Sequence, residues 1–186
     1  MTRRRDDERT VANAHRLMRR ADREVTDPEH VARIIAKCSI VRIAYMDAEG
    51  LTIVPMNFAY RFVPDVDTSP NLTLYFHSSH LGRKIDAIKA SGNRLEVAFE
   101  MEADCEIIEG RTPCNWGEAF SSVIGNGTAS IVEDMKERHD ALALLMSQQA
   151  GIEHVEFTDQ QVRSVTVWKV RADHLTAKSR PAHRKA

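Results

Sequence analysis

Two β-rich segments, Ile40 to Met46 and Leu51 to Phe62, are separated only by Asp47-Ala48-Glu49-Gly50. A linker that short cannot hold the crossover that parallel neighbours require, so the pair must form an antiparallel hairpin. Leu72 to His77, Leu95 to Glu100, Cys105 to Glu109, Ser121 to Val132 and Val162 to Val170 also read as strands, from their alternation and β-branched content. Helical patterns are few. Thr26-Asp27-Pro28-Glu29 has the form of a capping box with Thr26 as the cap, and Val31, Ile34, Ile35 and Cys38 then share one face. Arg83 to Ala90 is a short helix ended by Ser91-Gly92-Asn93. Asp134 opens a third, with Met135, Leu142, Leu145 and Met146 as its apolar face and Gly151 as its stop. Strand and helix do not alternate, which excludes a doubly wound sheet. The expectation is a mainly β (α+β) fold, an antiparallel barrel with peripheral helices.

The chain has 186 residues, of which 42% are hydrophobic and 28% charged, a composition suited to one packed domain. We divide it into an N-terminal extension (1–17), a barrel domain (18–178) and a basic tail (179–186) that reads as frayed. Within residues 1–24, Val11, Ala14, Leu17 and Met18 have helical spacing, which suits a short extra helix. Lys plus Arg number 26 against 27 Asp plus Glu, a formal net charge of -1. That balance supplies no field to draw in nucleic acid or an anionic membrane, and neither is an expected partner. No apolar run reaches the ~18 residues of a membrane span. Arg3, Arg4 and Arg5 are not followed by the apolar stretch of a secretory signal. The three cysteines, Cys38, Cys105 and Cys114, are an odd number without tight spacing. They read as reduced thiols, and the expected location is cytoplasmic.

The strongest local pattern is Tyr75-Phe76-His77-Ser78-Ser79-His80-Leu81-Gly82-Arg83-Lys84. A strand ends, two hydroxyls and a glycine make a turn, and a helix opens on two cations. Free main-chain N–H groups at a helix start favour an anion, and the helix dipole adds to this. Arg83 can grip phosphate oxygens with paired bonds, Lys84 supplies a point charge, and Ser78 and Ser79 add O–H donors. A phosphate monoester suits such a turn; so does a plain solvated helix start with Ser78 as its cap. In the second pattern, Val54-Pro55-Met56-Asn57, Pro55 cannot donate to a ladder, so the strand is irregular or at an edge there. Its free main-chain groups and the Asn57 amide could bond a flat heterocycle, or only solvent. Third, Trp116, Phe120, Ser121, Ser122 and Val123 precede Gly125 and Gly127. This arrangement fits an indole flanking a planar ligand and, equally, a core aromatic beside a glycine bulge.

Taken in order, several segments resemble the pyridoxamine-phosphate-oxidase-like FMN-binding proteins, and among them the nitroimidazole-resistance (Nim-type) branch. They are Arg19-Arg20-Ala21-Asp22-Arg23, the Val54-Pro55-Met56-Asn57 hairpin, Tyr75-Phe76-His77-Ser78 leading to Gly82-Arg83-Lys84, Cys105, Trp116 through Ser122-Val123-Ile124-Gly125, and Leu175-Thr176-Ala177-Lys178. The likeness covers roughly residues 18–178. It implies a six-stranded antiparallel split β-barrel that forms a homodimer, with FMN in a groove between subunits. By position, Ser78, Arg83 and Lys84 would hold the FMN phosphate. Pro55, Met56 and Asn57 would line the flavin ring, with Tyr75, Phe76 and His77 beneath or beside it. Trp116, Ser121 and Ser122 would approach the cofactor, from the partner chain in one arrangement. Leu51-Thr52 stands where the branch commonly has an aromatic, and Phe120-Ser121 replaces a tyrosine plus a longer polar residue. Both departures bear on substrate choice and leave the phosphate grip in place.

The resemblance further implies an oxidoreductase acting on small nitroaromatic or quinone-like acceptors, with a nicotinamide nucleotide as donor. The flavin supplies the redox chemistry and the protein supplies orientation and electrostatics. His77 is the candidate catalytic residue, because imidazole changes charge near working pH; a satisfied strand-end histidine is the alternative. No G-x-G-x-x-G turn marks a nicotinamide site. Two other readings stay open. One is a non-catalytic haem- or flavin-binding protein, with His77 or His80 as axial ligand. The other is a pyridoxamine phosphate oxidase-type enzyme, although a second basic phosphate site is not evident in the C-terminal part. No metal is expected: neither His77 with His80 nor Cys105 with Cys114 has a zinc spacing. Glu102, Asp104, Glu106 and Glu109 read as a solvated strand face.

Overall fold

The computed structural model describes residues 18–63 and 71–182. The proposed N-terminal helical residues Val11, Ala14 and Leu17, and most of the loop after Val63, lie outside the described residues. The elements are β1 (Glu24–Val25), α1 (Pro28–Lys37), β2 (Val41–Asp47), β3 (Gly50–Met56), β4 (Ala59–Val63), β5 (Asn71–Ser78), α2 (Arg83–Ala90), β6 (Leu95–Ile108), β7 (Gly117–Ile131), α3 (Met135–Ala150), α4 (Asp159–Arg163) and β8 (Thr166–Arg180). All described pairings are antiparallel, in the order β3-β2-β6-β7-β8-β5-β4, with β1 added along β8. The two end strands of that path, β3 and β4, are joined by Asn57 and Phe58 alone. The sheet therefore curls round until its ends nearly meet, and the seam between them stays unpaired. This is a split barrel.

Eight strands stand where six were expected. Leu51 to Phe62 is not one strand: it breaks at Asn57-Phe58, where the chain passes from one end of the sheet to the other. β1 is the second addition. Cys105 to Ile108 continues β6 across a bulge between Ala103 and Glu106. Two further expectations are corrected. The cap of α1 is Asp27, whose carboxylate accepts from the Glu29 and His30 N–H groups, and Thr26 is outside it. The closing strand does not begin at Val162: Thr158 and Gln161 form a capping box that opens α4, and β8 starts at Thr166. β8 then runs to Arg180, so Ser179 and Arg180 pair with Ser121 and Phe120 as strand residues.

Two apolar clusters hold this arrangement. The barrel interior is filled from all sides, by Ile43, Phe58, Leu74, Phe76, Ile85, Phe99, Val123 and Trp168 among others. Phe76 stacks on Trp168 with centroids 4.1 Å apart, an arrangement worth about 1 kcal/mol beyond burial. The second cluster lies between the outer face of β4, β5 and β8 and the helices α3 and α4, around Tyr75, Leu142, Leu145, Val162 and Val167. Gly127 lies opposite a bulge in β8, where Asp173 is the extra residue, and a Cβ there would come within 2.2 Å of the Arg171 carbonyl. At Gly125 it would strike Phe99. What approaches these glycines closely is the protein itself.

The edge of β4 is covered by α3. Gln148 accepts from the Tyr60 N–H at 2.8 Å and donates to the Tyr60 carbonyl at 3.1 Å, and Gln149 donates to the Phe58 carbonyl at 2.6 Å. Two side-chain amides thus act as a short strand, closing groups that an edge leaves open.

Candidate functional site

The split determines which candidate residues meet. Ladder pairing of β4 with β5 begins at Ala59 opposite Tyr75. The main chain of Phe76, His77 and Ser78 is therefore unpaired on that side, and Pro55, Met56 and Asn57 belong to the segment that leads along the seam into β4. Asn57 and His77 are exposed, Met56 and Ser78 half-buried. Tyr75 and Phe76 offer no side chain to a ligand there. Phe76 is inside the barrel, and Tyr75 faces α3, where its hydroxyl donates to Glu137 at 3.1 Å.

After β5 the chain turns through Ser79 to Gly82 into α2. His80 is fixed in this turn, with one ring nitrogen 2.9 Å from the Thr166 hydroxyl and the other 2.9 Å from the Arg163 carbonyl. Ser78 accepts from the Trp168 indole N–H at 3.1 Å, leaving its own O–H to donate elsewhere. Gly82 takes φ +131, a conformation that favours glycine, and caps α2 without a side chain. The Gly82 carbonyl accepts from Ile85 and Asp86. The N–H groups of Arg83 and Lys84 precede those and meet no acceptor among the described residues.

Both cations of the turn are half-buried, and they differ in partners. Lys84 makes no salt bridge or hydrogen bond with its ammonium among the described residues. Arg83 reaches the tip of the β2–β3 hairpin, where its Nε and Nη2 donate to the two oxygens of Asp47 at 2.8 and 2.7 Å, and Nη2 donates also to the Gly50 carbonyl at 2.9 Å. The Arg83 guanidinium holds the Asp47 carboxyl below the usual carboxylate range. Nothing in the turn pattern announces Asp47: in sequence it is one residue of a hairpin turn.

Trp116, Ser121 and Ser122 are not part of this grouping. Ser78 pairs with Thr166 and Ser121 with Ser179, and those two partners sit at opposite ends of β8. Trp116 is 53% exposed at the tip of an arm formed by the outer halves of β6 and β7, where Ile107 is also exposed. Ser121 lines a broad groove of about 1860 Å³ between this arm, β1, the start of α1 and the end of β8. That groove contains none of the residues of the β5–α2 turn, and its lining mixes acids, bases and apolar groups.

Neither Cys38 nor Cys105 is an activated nucleophile. Burial pushes Cys38 up to about 12. Desolvation and neighbouring carboxylates, Glu102 first, also raise Cys105. Among the described residues there is no group of His, Cys, Asp and Glu placed to hold a metal, and no helix long and apolar enough to cross a membrane.

Comparison with known proteins agrees with this architecture. A search of curated proteins finds no match. Among solved structures, a candidate 5-nitroimidazole antibiotic resistance protein from Bacteroides thetaiotaomicron is 28% identical, with TM-score 0.66 over 83% of this chain and 85% of its own. A flavocytochrome from Azotobacter vinelandii shares the fold at TM-score 0.68 and 16% identity, over 89% of this chain and 73% of its own. A FAD and heme binding protein from Mycobacterium smegmatis does so at TM-score 0.67 and 14% identity, over 88% and 77%. The family model for pyridoxamine 5'-phosphate oxidase matches residues 27–179, from the cap of α1 almost to the end of β8, and the chain belongs to that family.

Proposed function

We propose that this protein binds FMN and passes electrons to small nitroaromatic or quinone-like acceptors. The observation that carries the reading is the start of α2. Two main-chain N–H groups lie open there, beside a Lys84 ammonium without a partner and an Arg83 whose Nη1 makes no hydrogen bond among the described residues. A doubly charged phosphate monoester matches that set of donors. Arg83, Lys84 and the Ser78 hydroxyl would hold the phosphate. Pro55, Met56 and Asn57 would run along the flavin ring, with the open main chain of Phe76 to Ser78 beneath it. Bound FMN would supply reversible two-electron chemistry, the part of the reaction no side chain here can perform. His77 is exposed without a partner among the described residues, so its imidazole is free to give a proton to a reduced acceptor.

The 28% identical nitroimidazole-resistance candidate supports a small nitroaromatic acceptor, and a nicotinamide nucleotide is the natural donor. Trp116, Ser121 and Ser122 lie too far along β7 to serve the same chain's turn. In a homodimer they would complete the site of the partner. Leu51, Ile53 and Ile124 are exposed apolar residues on one outer sheet face, as such an interface requires. Of the two candidate haem ligands, His80 has both ring nitrogens engaged, which leaves His77 as the one candidate for that reading.

The test is spectroscopic. The purified protein should show a flavin absorption spectrum, or acquire one when FMN is added, and should then oxidise a nicotinamide nucleotide in the presence of a nitroaromatic compound. A colourless protein that does not bind added FMN ends the proposal.

A further inference from the structure

We infer that Asp47 is a positioning residue for the phosphate site: it clamps one edge of the Arg83 guanidinium so that the opposite edge is presented to the ligand. This rests on the reading that the start of α2 takes a phosphate. An arginine at a helix start ordinarily samples many rotamers, and ordering it on binding opposes affinity. Here the ordering is already done. Nε and Nη2 use their three N–H bonds on Asp47 and on the Gly50 carbonyl, leaving the two on Nη1.

The clamp is built into the hairpin tip. Asp47 pairs with Gly50 across the turn, and its Oδ1 also accepts from the Glu49 N–H at 2.9 Å. The carboxylate is therefore held whether or not Arg83 is present. Its side chain is only 13% exposed, against 35% for Arg83. A carboxylate merely competing with phosphate for Arg83 would need neither this anchoring nor this burial. The β5–α2 turn and the β2–β3 hairpin, distant in sequence, thus act on the same anion: the turn supplies the donor and the hairpin its orientation.

The experiment is a set of FMN dissociation constants. Asp47→Asn keeps an oxygen for the Glu49 N–H and removes the charge and one acceptor from Arg83. It should weaken FMN about tenfold, the size of one charge-assisted contact. The same factor should appear in a Lys84→Ala background and vanish in an Arg83→Ala background. Asp47→Ser, which can also accept from Glu49, is measured in parallel and should behave alike. Unchanged or tighter FMN binding in the Asp47 variants overturns the inference. So does an undiminished loss when Arg83 is already absent, because the residue would then act only on the hairpin. If Arg83→Ala and Lys84→Ala each leave FMN affinity intact, the phosphate reading has failed and takes this inference with it. That result is distinct from the first two.

Discussion

Helices α2 and α3 start in opposite ways. At α3, Asp134 accepts from the Glu137 N–H at 2.7 Å, and the first turn continues into packed structure. Glu137 takes the Lys169 ammonium at 2.6 Å and the Tyr75 hydroxyl, while Ala141, Leu142 and Leu145 seal against the sheet. At α2, a glycine stands in the capping place, and among the described residues the first N–H groups meet no acceptor and the Lys84 ammonium no partner. A glycine cap costs only about a few tenths of a kcal/mol relative to a side-chain cap, and α2, unlike α1, α3 and α4, keeps its first N–H groups without an acceptor among the described residues, as the proposed phosphate site requires. One end holds the molecule together, and the other is where the proposed function puts the phosphate.

The sharpest way to break this contrast is to strip the open end. Arg83→Ala combined with Lys84→Ala removes two charge-assisted contacts and should cost on the order of 2–5 kcal/mol of FMN affinity. Titration of the variant with FMN, followed by absorbance or calorimetry, measures it. Retention of FMN at the original affinity would mean that the α2 start is no more a ligand site than the α3 start.

Both helix starts are legible in the sequence, but what each one meets in the fold is not. Asp134 with Glu137, and Gly151 in the left-handed conformation, declare α3 by local rules that the structure follows. Gly82-Arg83-Lys84 declares the start of α2 equally well, because Gly82 takes a φ that favours glycine. The hairpin around Asp47 to Gly50 was readable for the same reason. What local pattern cannot supply is who meets whom. Asp47 and Arg83 are brought together by the curl of the sheet, and no periodicity links them. The break at Asn57-Phe58 was hidden because both halves are apolar and β-rich, and the break serves sheet closure instead of local propensity. Trp116 and Ser121 look near the turn in family order, yet the length of β8 puts them at its other end. The capping box at Thr158 and Gln161 was present in the sequence and masked by the alternation that follows it.

A smaller effect tests the closed end. Asp134→Ala opens the N–H of Glu137 and should lower global stability by about 1 kcal/mol. FMN affinity should not move, since α3 meets the outer face of β5 and not the turn beyond it. Denaturant unfolding and an FMN titration on the same variant read both quantities. A fall in FMN affinity matching the fall in stability would show the two ends to be coupled, and the division drawn between them would fail.

The smallest effect lies in acid, at the hairpin that joins the two roles. The Arg83 hydrogen bonds lower the Asp47 carboxyl most, with the Glu49 N–H adding and desolvation opposing. A carboxyl that binds its proton less readily folded than unfolded contributes stability above its unfolded value, about 3.9, and loses it as pH falls through the lower folded value. Asp22, Asp140 and Asp159 are lowered as well, so the wild-type curve alone cannot isolate Asp47. The difference between wild type and Asp47→Asn can. That gap should be constant from neutral pH down to about pH 4 and shrink below it, in the protein without FMN. A gap that stays level into stronger acid would mean that the Asp47 to Arg83 contact is held by shape and not by charge, and the clamp would then present Arg83 equally well with its carboxylate neutralised.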